Sequence, residues 1–334
     1  MGRREDVEEV NDMGASMLMD ESGRNDISDR LLAQVTRIRP APRNRTKNAL
    51  PDPVKIPSNG VPGSEVVARL VQSYEEHGFA RFKLEGSPDR AAPALSKLSL
   101  ALGLQPPVVP ALYRGADTSH LYDEYGFNTI STKASASTVS GHPTFESSAE
   151  VELHTDGTLQ PIGEIHTSLL YCISPALRGG ETTLFHAVEA FVELAREAPT
   201  LAAALLHPQA LSRRATVNGS TAVAVGPVFA LVGEHVYTRY SRTPRDEFAF
   251  DRVERLREAC LALAERAHPS TPFYAQLGLS AGEGIFLANA RLSHGRTAIH
   301  DLDSPRRLLR GLFRERPRAS ASPTASPVEG SFSE

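Results

Sequence analysis

Apolar residues along this chain first take up a regular spacing near Ser64. The run SEVVARLVQSYEEHG at 64–78 places apolar residues at helical spacing between a capping serine and a closing glycine, which predicts a helix. FARFKL at 79–84 then alternates in polarity and predicts a strand. A second helix is predicted at about 91–103. Ordered structure is therefore expected to begin near residue 64.

Short runs of β-forming residues dominate the chain beyond residue 160. They are IHTSLLYCI (165–173), TTLFH (182–186), TAVAV (221–225), FALVG (229–233), HVYTRYS (235–241), GIFLAN (284–289) and RLLRGLF (307–313). Two amphipathic helices interrupt them, at roughly 187–205 and 251–267. Many short strands with a few helices predict a mainly β fold, a β-barrel or jelly roll with flanking helices on one face.

The two ends of the chain lack this periodicity. Residues 1–60 are acidic at first and then basic and proline-rich, so we expect a disordered or loosely attached arm, and a chain that begins near Pro57 is expected to fold. The tail 317–334 is rich in Ser and Pro and is predicted to be disordered. Between them, 64–316 is predicted to be one domain, in which the weakly patterned stretch 107–150 is typical of a lid or binding loop.

Composition narrows the functional classes. The chain has 334 residues, is 40% hydrophobic and carries a formal net charge of -4, so no positive field favours nucleic acid or a membrane surface. Cys172 and Cys260 are far apart, fit no metal-binding spacing and are expected to be free thiols in a reducing compartment. No signal peptide or membrane span is recognisable. These features predict a cytoplasmic protein with a small-molecule substrate, and they leave its oligomeric state open.

The segment LHTDGT at 153–158 contains the first pair of candidate metal ligands. In an extended segment His154 and Asp156, two residues apart, point to the same side, so an imidazole nitrogen and a carboxylate oxygen can meet one metal ion. The same triplet also suits an ordinary surface turn, because Asp156-Gly157 is a common turn dipeptide.

A second histidine, His294, follows the predicted strand GIFLAN in the segment SHGRTA at 293–298. Two histidines and one carboxylate form a facial triad, which suits non-haem iron(II) and leaves coordination positions open for substrate atoms and dioxygen. Taken alone, His294 would equally suit a hydrogen-bonded core histidine.

Two further segments offer groups that could bind a carboxylate. Arg307, in PRRLLRGLF at 305–313, is predicted to act as a bidentate carboxylate clamp near the metal, although this segment also suits a solvated arginine run. Strand alternation puts Arg307, Leu309 and Gly311 on one face and Arg306, Leu308 and Arg310 on the other. Thr182, in RGGETTLF at 178–185, can offer a hydroxyl to the same ligand, although this segment also suits a plain hairpin turn.

Taken in order, HTDGT, GGET, HGRTA and the RRLL strand resemble the taurine dioxygenase/TfdA-like (clavaminate synthase-like) family of oxygenases. The resemblance covers about residues 64–316. It implies a double-stranded β-helix (jelly roll), with iron(II) bound by His154, Asp156 and His294. It also implies that Thr182 and Arg307 hold the cosubstrate 2-oxoglutarate.

The resemblance also implies a reaction. Dioxygen and 2-oxoglutarate would be converted to succinate and CO2 while a C–H bond of the substrate is hydroxylated, desaturated or cyclised. Halogenating relatives carry a small residue where this chain has Asp156, so halogenation is not expected. Sulfonate-binding members carry a second arginine four residues after the clamp. Counted from Arg307 that position is Gly311, so no strongly anionic substrate group is expected on this strand.

The substrate itself is predicted only as a class, an amino-acid-like or natural-product molecule. Arg239, in the strand HVYTRYS, could meet a substrate carboxylate, and Tyr122 and Asn128 could line the pocket from the predicted lid.

Two alternatives use the same residues differently. One is a zinc-dependent hydrolase with the same three ligands, which leaves Arg307 and Thr182 without a role. The other is a non-catalytic jelly-roll binding module.

Overall fold

The computed structural model describes residues 33–35, 50–114, 121–132, 147–217, 220–232, 234–300 and 306–319. Within these ranges the fold is mainly β with flanking helices, as predicted. The helices are α1 (Ser64–His77), α2 (Ala92–Ala101), α3 (Ala187–Glu197), α4 (Pro199–Leu205) and α5 (Leu256–Arg266). None of the helices in the described ranges is both long and apolar enough to cross a membrane.

Two larger sheets form the body of the molecule. The six-stranded sheet contains, in spatial order, β1 (Val54–Ile56), β2 (Phe79–Leu84), β13 (Glu283–Leu287), β5 (Thr167–Ser174), β15 (Arg307–Phe313) and β3 (Asn128–Ser131). The four-stranded sheet contains β12 (Tyr274–Leu277), β6 (Thr182–Phe185), β14 (Ser293–Arg296) and β4 (Val151–His154). Buried side chains from both sheets, including Leu170, Leu184 and Leu308, pack in one apolar cluster, so the two sheets face each other.

Helices and two small sheets cover the outside of this body. Helices α1 and α2 pack on the outer face of the six-stranded sheet through residues such as Leu70, Leu95 and Phe82. Helices α3, α4 and α5 form a second layer together with two small sheets. One sheet contains, in spatial order, β11 (Asp246–Phe248), β7 (Leu211–Val217) and β8 (Ser220–Gly226). The other is a hairpin of β9 (Phe229–Val232) and β10 (His235–Thr238).

Several predicted elements are confirmed with shifted ends. The first helix covers Ser64–His77 and ends at Gly78 with φ 75°, but its N-cap is Gly63 and not the predicted Ser64. The predicted helix 187–205 is two helices, because Pro199 has no N–H to continue the first one and starts the second. The strand predicted at 235–241 ends at Thr238.

The predicted boundary of the N-terminal arm at residue 60 lies too far along the chain. Residues 54–56 form β1, which pairs in parallel with β2, and the side chains of Val54 and Ile56 are buried. Val35 is also buried, in the cluster formed by α3, α4 and α5. The sequence pattern missed β1 because three residues are too short a window to show alternation. Residues 1–32 and 36–49 of the predicted arm lie outside the described ranges.

The predicted lid and tail are described only in part. Within 107–150, β3 pairs with β15, so this stretch contributes a strand to the main sheet. At the predicted tail, the N–H of Arg318 donates to Leu102 O at 2.9 Å, which ties residue 318 to the end of α2. Residues 115–120, 133–146 and 320–334 lie outside the described ranges.

Candidate metal centre

The register of the four-stranded sheet brings the three predicted metal ligands together. Strand β14 lies between β4 and β6, and His294 is directly opposite His154 in the β14–β4 pair. Residues opposite each other in antiparallel strands have side chains on the same face, and the two imidazole rings lie 4.5 Å apart between centroids. Asp156 follows β4 by two residues. One ligand atom of each of the three side chains lies within 4.8 Å of the others.

A tight turn and a buried asparagine set the position of Asp156. Gly157 has φ 72°, a conformation that side chains disfavour, and a Cβ there would lie 2.5 Å from Ile165. Asn289, at the end of the predicted strand GIFLAN, accepts the N–H of Asp156 at 2.7 Å. Its amide donates to the carbonyls of Asp156 and Ile165 at 3.1 and 3.0 Å. The backbone at Asp156 is therefore held from two sides.

The carboxylate of Asp156 is held by two more side chains. Arg310 donates to Oδ1 at 2.9 Å, and the Ser168 hydroxyl donates to Oδ2 at 2.7 Å. Oδ2 lies 3.5 Å from Nε2 of His294, so this oxygen is the one that faces the histidines. Burial is the largest single influence and would raise the pKa of Asp156, but Arg310, His294, His154 and the Ser168 hydrogen bond together outweigh it, so the pKa lies below its usual value.

The donor atoms fit a divalent metal ion. Nδ1 of His154 lies 2.9 Å from Glu152 O, to which it can donate its proton, and this leaves Nε2 as the ligand atom. Burial lowers the pKa of His154, and burial together with His154 lowers the pKa of His294 to about 3. At neutral pH the group therefore offers two neutral imidazoles and a carboxylate. A spacing of 3.5 Å between two donors suits an ion about 2.0–2.2 Å from each.

A pocket of about 80 Å³, partly open to solvent, adjoins His154 and His294. Its lining includes Leu170, Leu308 and Arg310 from the six-stranded sheet and Thr182 and His294 from the four-stranded sheet. The pocket therefore lies between the two sheets. Thr182 is buried and lies opposite Arg296, two residues after His294, in the β14–β6 pair.

The predicted clamp, Arg307, is not part of this pocket. Its side chain is 42% exposed and pairs with Asp89 at 2.9 Å on the outer surface. Arg306, one residue earlier, lines the pocket with a relative exposure of 7%, and no described residue forms a hydrogen bond or ion pair with its guanidinium. Burial lowers the pKa of Arg306 to about 10. The predicted alternation of the strand is confirmed, and it places Arg307 on the outer face, away from the pocket.

The three predicted substrate residues lie in different environments. Burial raises the pKa of Tyr122, and the charge of Arg310 opposes this rise. Asn128 is fully buried opposite Arg310 in the β15–β3 pair, and its amide donates to Leu121 O at 2.8 Å, which positions the segment that carries Tyr122. Arg239 is buried, donates to Thr158 O, and is not part of the pocket lining.

The sequence analysis missed other residues of the site. Asn289 closes a predicted strand but has no recognisable spacing from Asp156, and Ser168 lies in a strand that reads as apolar. Arg296 is structural, because it donates to the carbonyls of Ser147 and Ala149 at 2.8 and 2.6 Å. The inward face of β15 was the signal that would have identified Arg306.

Residues 38–312 match the model of the taurine catabolism dioxygenase TauD, TfdA family. A uridine-5'-phosphate dioxygenase from Amycolatopsis sp. is 37% identical over 259 residues, which cover 76% of this chain and 90% of that protein. A uridine-5'-phosphate dioxygenase from Streptomyces sp. is 38% identical over 227 residues, which cover 65% of this chain and 77% of that protein.

Solved structures share the fold at low sequence identity. An asparagine oxygenase in complex with Fe(II), 3-hydroxyasparagine and succinate is 16% identical, with a TM-score of 0.56 over 88% of this chain and 92% of that chain. The non-haem iron oxygenase OrfP, in complex with Fe and α-ketoglutaric acid, is 16% identical, with a TM-score of 0.51 over 75% and 81%. The chain belongs to the TauD/TfdA family of iron(II)- and 2-oxoglutarate-dependent dioxygenases.

Proposed function

We propose that His154, Asp156 and His294 bind the iron(II) and that Arg306, with Thr182, holds the carboxylate of 2-oxoglutarate that does not chelate the metal. The observation that carries this assignment is Arg306, a buried guanidinium that faces the pocket and is unpaired among the described residues. A buried charge without a counter-ion is costly, so this position calls for an anionic ligand. Thr182, in the same lining, can donate its hydroxyl to that carboxylate.

Each side chain of the site has a separate task in this proposal. Bound iron with 2-oxoglutarate supplies the oxidising power for a C–H bond. His154 and His294 supply neutral nitrogen ligands, and Ser168 and Arg310 keep the carboxylate of Asp156 aimed at them. The apolar pocket walls, such as Leu170 and Leu308, exclude water from the bound cosubstrate.

The substrate we propose is a nucleoside 5'-phosphate. The two relatives above act on uridine 5'-phosphate according to their names. The match with one of them covers 90% of that protein's length. With Arg306 as the clamp, Arg310 is the arginine four residues further along the same face of β15. The sequence analysis counted four residues from Arg307 to Gly311 and therefore expected no strongly anionic substrate group on this strand. With the count starting at Arg306, that expectation no longer applies. A phosphate monoester suits such a guanidinium.

Neither alternative from the sequence explains these groups. A zinc hydrolase with the same ligands would leave the buried Arg306 without an anion. A non-catalytic binding module would not need a carboxylate, Asp156, held by Asn289, Ser168 and Arg310 beside two histidines.

The test is succinate release by iron-loaded protein with 2-oxoglutarate and uridine 5'-phosphate, compared with uridine, other nucleoside monophosphates and free amino acids. We expect release that depends on iron and is greatest with a nucleoside monophosphate. Anaerobic addition of iron(II) and 2-oxoglutarate should also give the visible charge-transfer band of the chelate. Release that is equal without any nucleotide, or greatest with an amino acid, would refute the proposed substrate.

A further inference from the structure

Arg310, on β15, contacts the candidate metal centre and the pocket at the same time. Its Nη1 donates to Oδ1 of Asp156 at 2.9 Å, and its side chain, which is 12% exposed, is part of the pocket lining. The carboxylate that it holds is almost fully buried. A guanidinium carries five N–H donors in a planar fork, which point in several directions. Arg310 can therefore bind an anion in the pocket through donors other than the one that Asp156 uses.

The two carboxylate oxygens of Asp156 have different partners. Oδ2 lies 3.5 Å from Nε2 of His294 and accepts the Ser168 hydroxyl at 2.7 Å, whereas Oδ1 accepts from Arg310. A cation on Oδ1 draws negative charge towards that oxygen and away from Oδ2, and this polarisation is strong where water is excluded. The charge that Oδ2 offers to a metal ion therefore depends on how far the charge of Arg310 is balanced by another anion.

The anion that suits Arg310 is separate from the one that suits Arg306. Arg306 directly precedes β15, and Arg310 follows four residues later, which corresponds to roughly 13 Å of extended chain. Both arginines line the pocket, and Leu308 lines it between them. One carboxylate cannot reach both guanidiniums over this distance. With the carboxylate of 2-oxoglutarate at Arg306, the group at Arg310 is the anionic part of the substrate.

We propose that Arg310 couples the substrate phosphate to the iron site, because one guanidinium binds both the phosphate and the carboxylate of the metal ligand Asp156. A phosphate dianion on Arg310 balances the guanidinium charge and returns negative charge to Oδ2, so it strengthens iron(II) binding. By linkage, iron(II) strengthens binding of the phosphate by the same factor. The inference rests on the proposed function and names how the phosphate of the substrate acts on the metal centre.

The test measures the Kd of uridine 5'-phosphate by anaerobic calorimetry on the full-length protein, with and without bound iron(II), at a saturating concentration of 2-oxoglutarate. The ratio of the two Kd values is the coupling factor. Uridine, which lacks the phosphate, and ribose 5-phosphate, which lacks the base, are measured in the same way. Succinate release with uridine 5'-phosphate is measured separately on the same iron-loaded protein.

We expect a coupling factor of roughly 5- to 150-fold for uridine 5'-phosphate and for ribose 5-phosphate, the usual range for linked sites, and no coupling for uridine. R310Q should weaken binding of both phosphates and also remove the coupling. R310K keeps a cation beside Asp156 and serves as a second variant if R310Q does not fold. Its coupling factor should also fall, because an ammonium group lacks the second edge of the guanidinium.

Two further variants control for effects that do not pass through Arg310. Ser168 holds the other oxygen of Asp156 and is not part of the pocket lining, so S168A should weaken iron(II) binding while the coupling factor stays at the wild-type value. Arg314 is exposed and pairs with Glu164 at 2.7 Å, so R314Q removes one positive charge from the same segment of chain. R314Q should match wild type in iron(II) affinity and in coupling.

The outcomes separate this inference from the proposed function. If wild-type protein releases succinate with uridine 5'-phosphate but shows no coupling, or if R310Q keeps the wild-type coupling factor, the inference is refuted and the proposed function stands. In the second case the phosphate would act on the iron without Arg310. If either phosphate shows coupling that R310Q removes but no succinate is released, the inference stands and the proposed substrate falls. If there is neither coupling nor turnover, both fall.

Discussion

A single carboxylate residue, Asp156, depends on contacts from three separate parts of the chain. Ser168 on β5 and Arg310 on β15 hold its oxygens, while Asn289 holds its backbone from the end of β13. Gly157, the next residue, has a positive φ and so allows the chain to turn directly after Asp156. Groups that hold metal ligands in this way normally matter for metal affinity almost as much as the ligands themselves.

The first residue-scale prediction concerns the pair Arg306 and Arg307. R306A should raise the Kd for 2-oxoglutarate by roughly 10- to 150-fold, because a charged hydrogen bond is worth about 1.5–3 kcal/mol. R307A is the matched control, since its side chain pairs with Asp89 at the surface, and it should leave the Kd unchanged. Titration of the chelate band with 2-oxoglutarate measures both. An increased Kd in R307A with a normal value in R306A would reverse the assignment.

The second residue-scale prediction concerns Asn289. N289A removes one acceptor and two donor contacts in the core and should reduce iron(II) affinity by about 10- to 100-fold, as expected for a group that orients a ligand. The control is N59A. The side chain of Asn59 also accepts a backbone N–H, that of Val61 at 3.0 Å, but it does so in an exposed turn. Equilibrium dialysis with iron(II) gives the affinity. Wild-type affinity in N289A would show that the turn alone positions Asp156.

At the scale of elements, the pairing of β13 with β2 depends on a close approach between a glycine and a buried aromatic ring. Gly284 on β13 lies opposite Phe82 on β2, and a Cβ at residue 284 would lie 2.2 Å from the Phe82 ring. Phe82 is fully buried beneath α1 and α2, so its ring has little room to move. The glycine is therefore required by packing and not by its backbone angle.

We predict that G284A lowers the free energy of unfolding by about 1–3 kcal/mol, the usual cost of overpacking a core. Gly278, six residues earlier, has no atom within 4 Å of a Cβ placed there, so G278A is the control. Urea denaturation followed by circular dichroism compares the two. Equal stability of G284A and G278A would mean that Phe82 can take another position at little cost.

At the scale of the whole molecule, the first strand closes one edge of the sheet that carries Arg310. Val54 and Ile56 are buried at this edge, and burying each such side chain is worth about 1.5–3 kcal/mol. We predict that a chain starting at Leu50 is more stable than one starting at Pro57 by about 3–6 kcal/mol. That is a large part of the 5–15 kcal/mol typical of a folded protein.

Guanidinium denaturation of the two shortened proteins measures this difference, and the chelate band reports whether the site survives. Both proteins lack residues 1–49, so the comparison isolates the segment that contains β1. Indistinguishable midpoints would show that β1 is dispensable and that the boundary predicted from the sequence was adequate.

The sequence by itself identified the three candidate metal ligands, the positions of several main strands along the chain and the reaction class. These follow from local signals, because His154 and Asp156 share one side of an extended segment and the apolar runs define strands wherever they pack. The mainly β fold and the family assignment are confirmed. The ends of the elements were less predictable, since a helix cap such as Gly63 depends on the backbone conformation of the residues that lead into the helix.

Only the tertiary structure decided which arginines of β15 face the pocket. Alternation along β15 defines two faces, but each carries arginine and leucine, so only packing against the four-stranded sheet shows that Arg306 and Arg310 point inward. Period and spacing are local properties of a chain, whereas the inward face and the neighbour across a sheet depend on long-range packing.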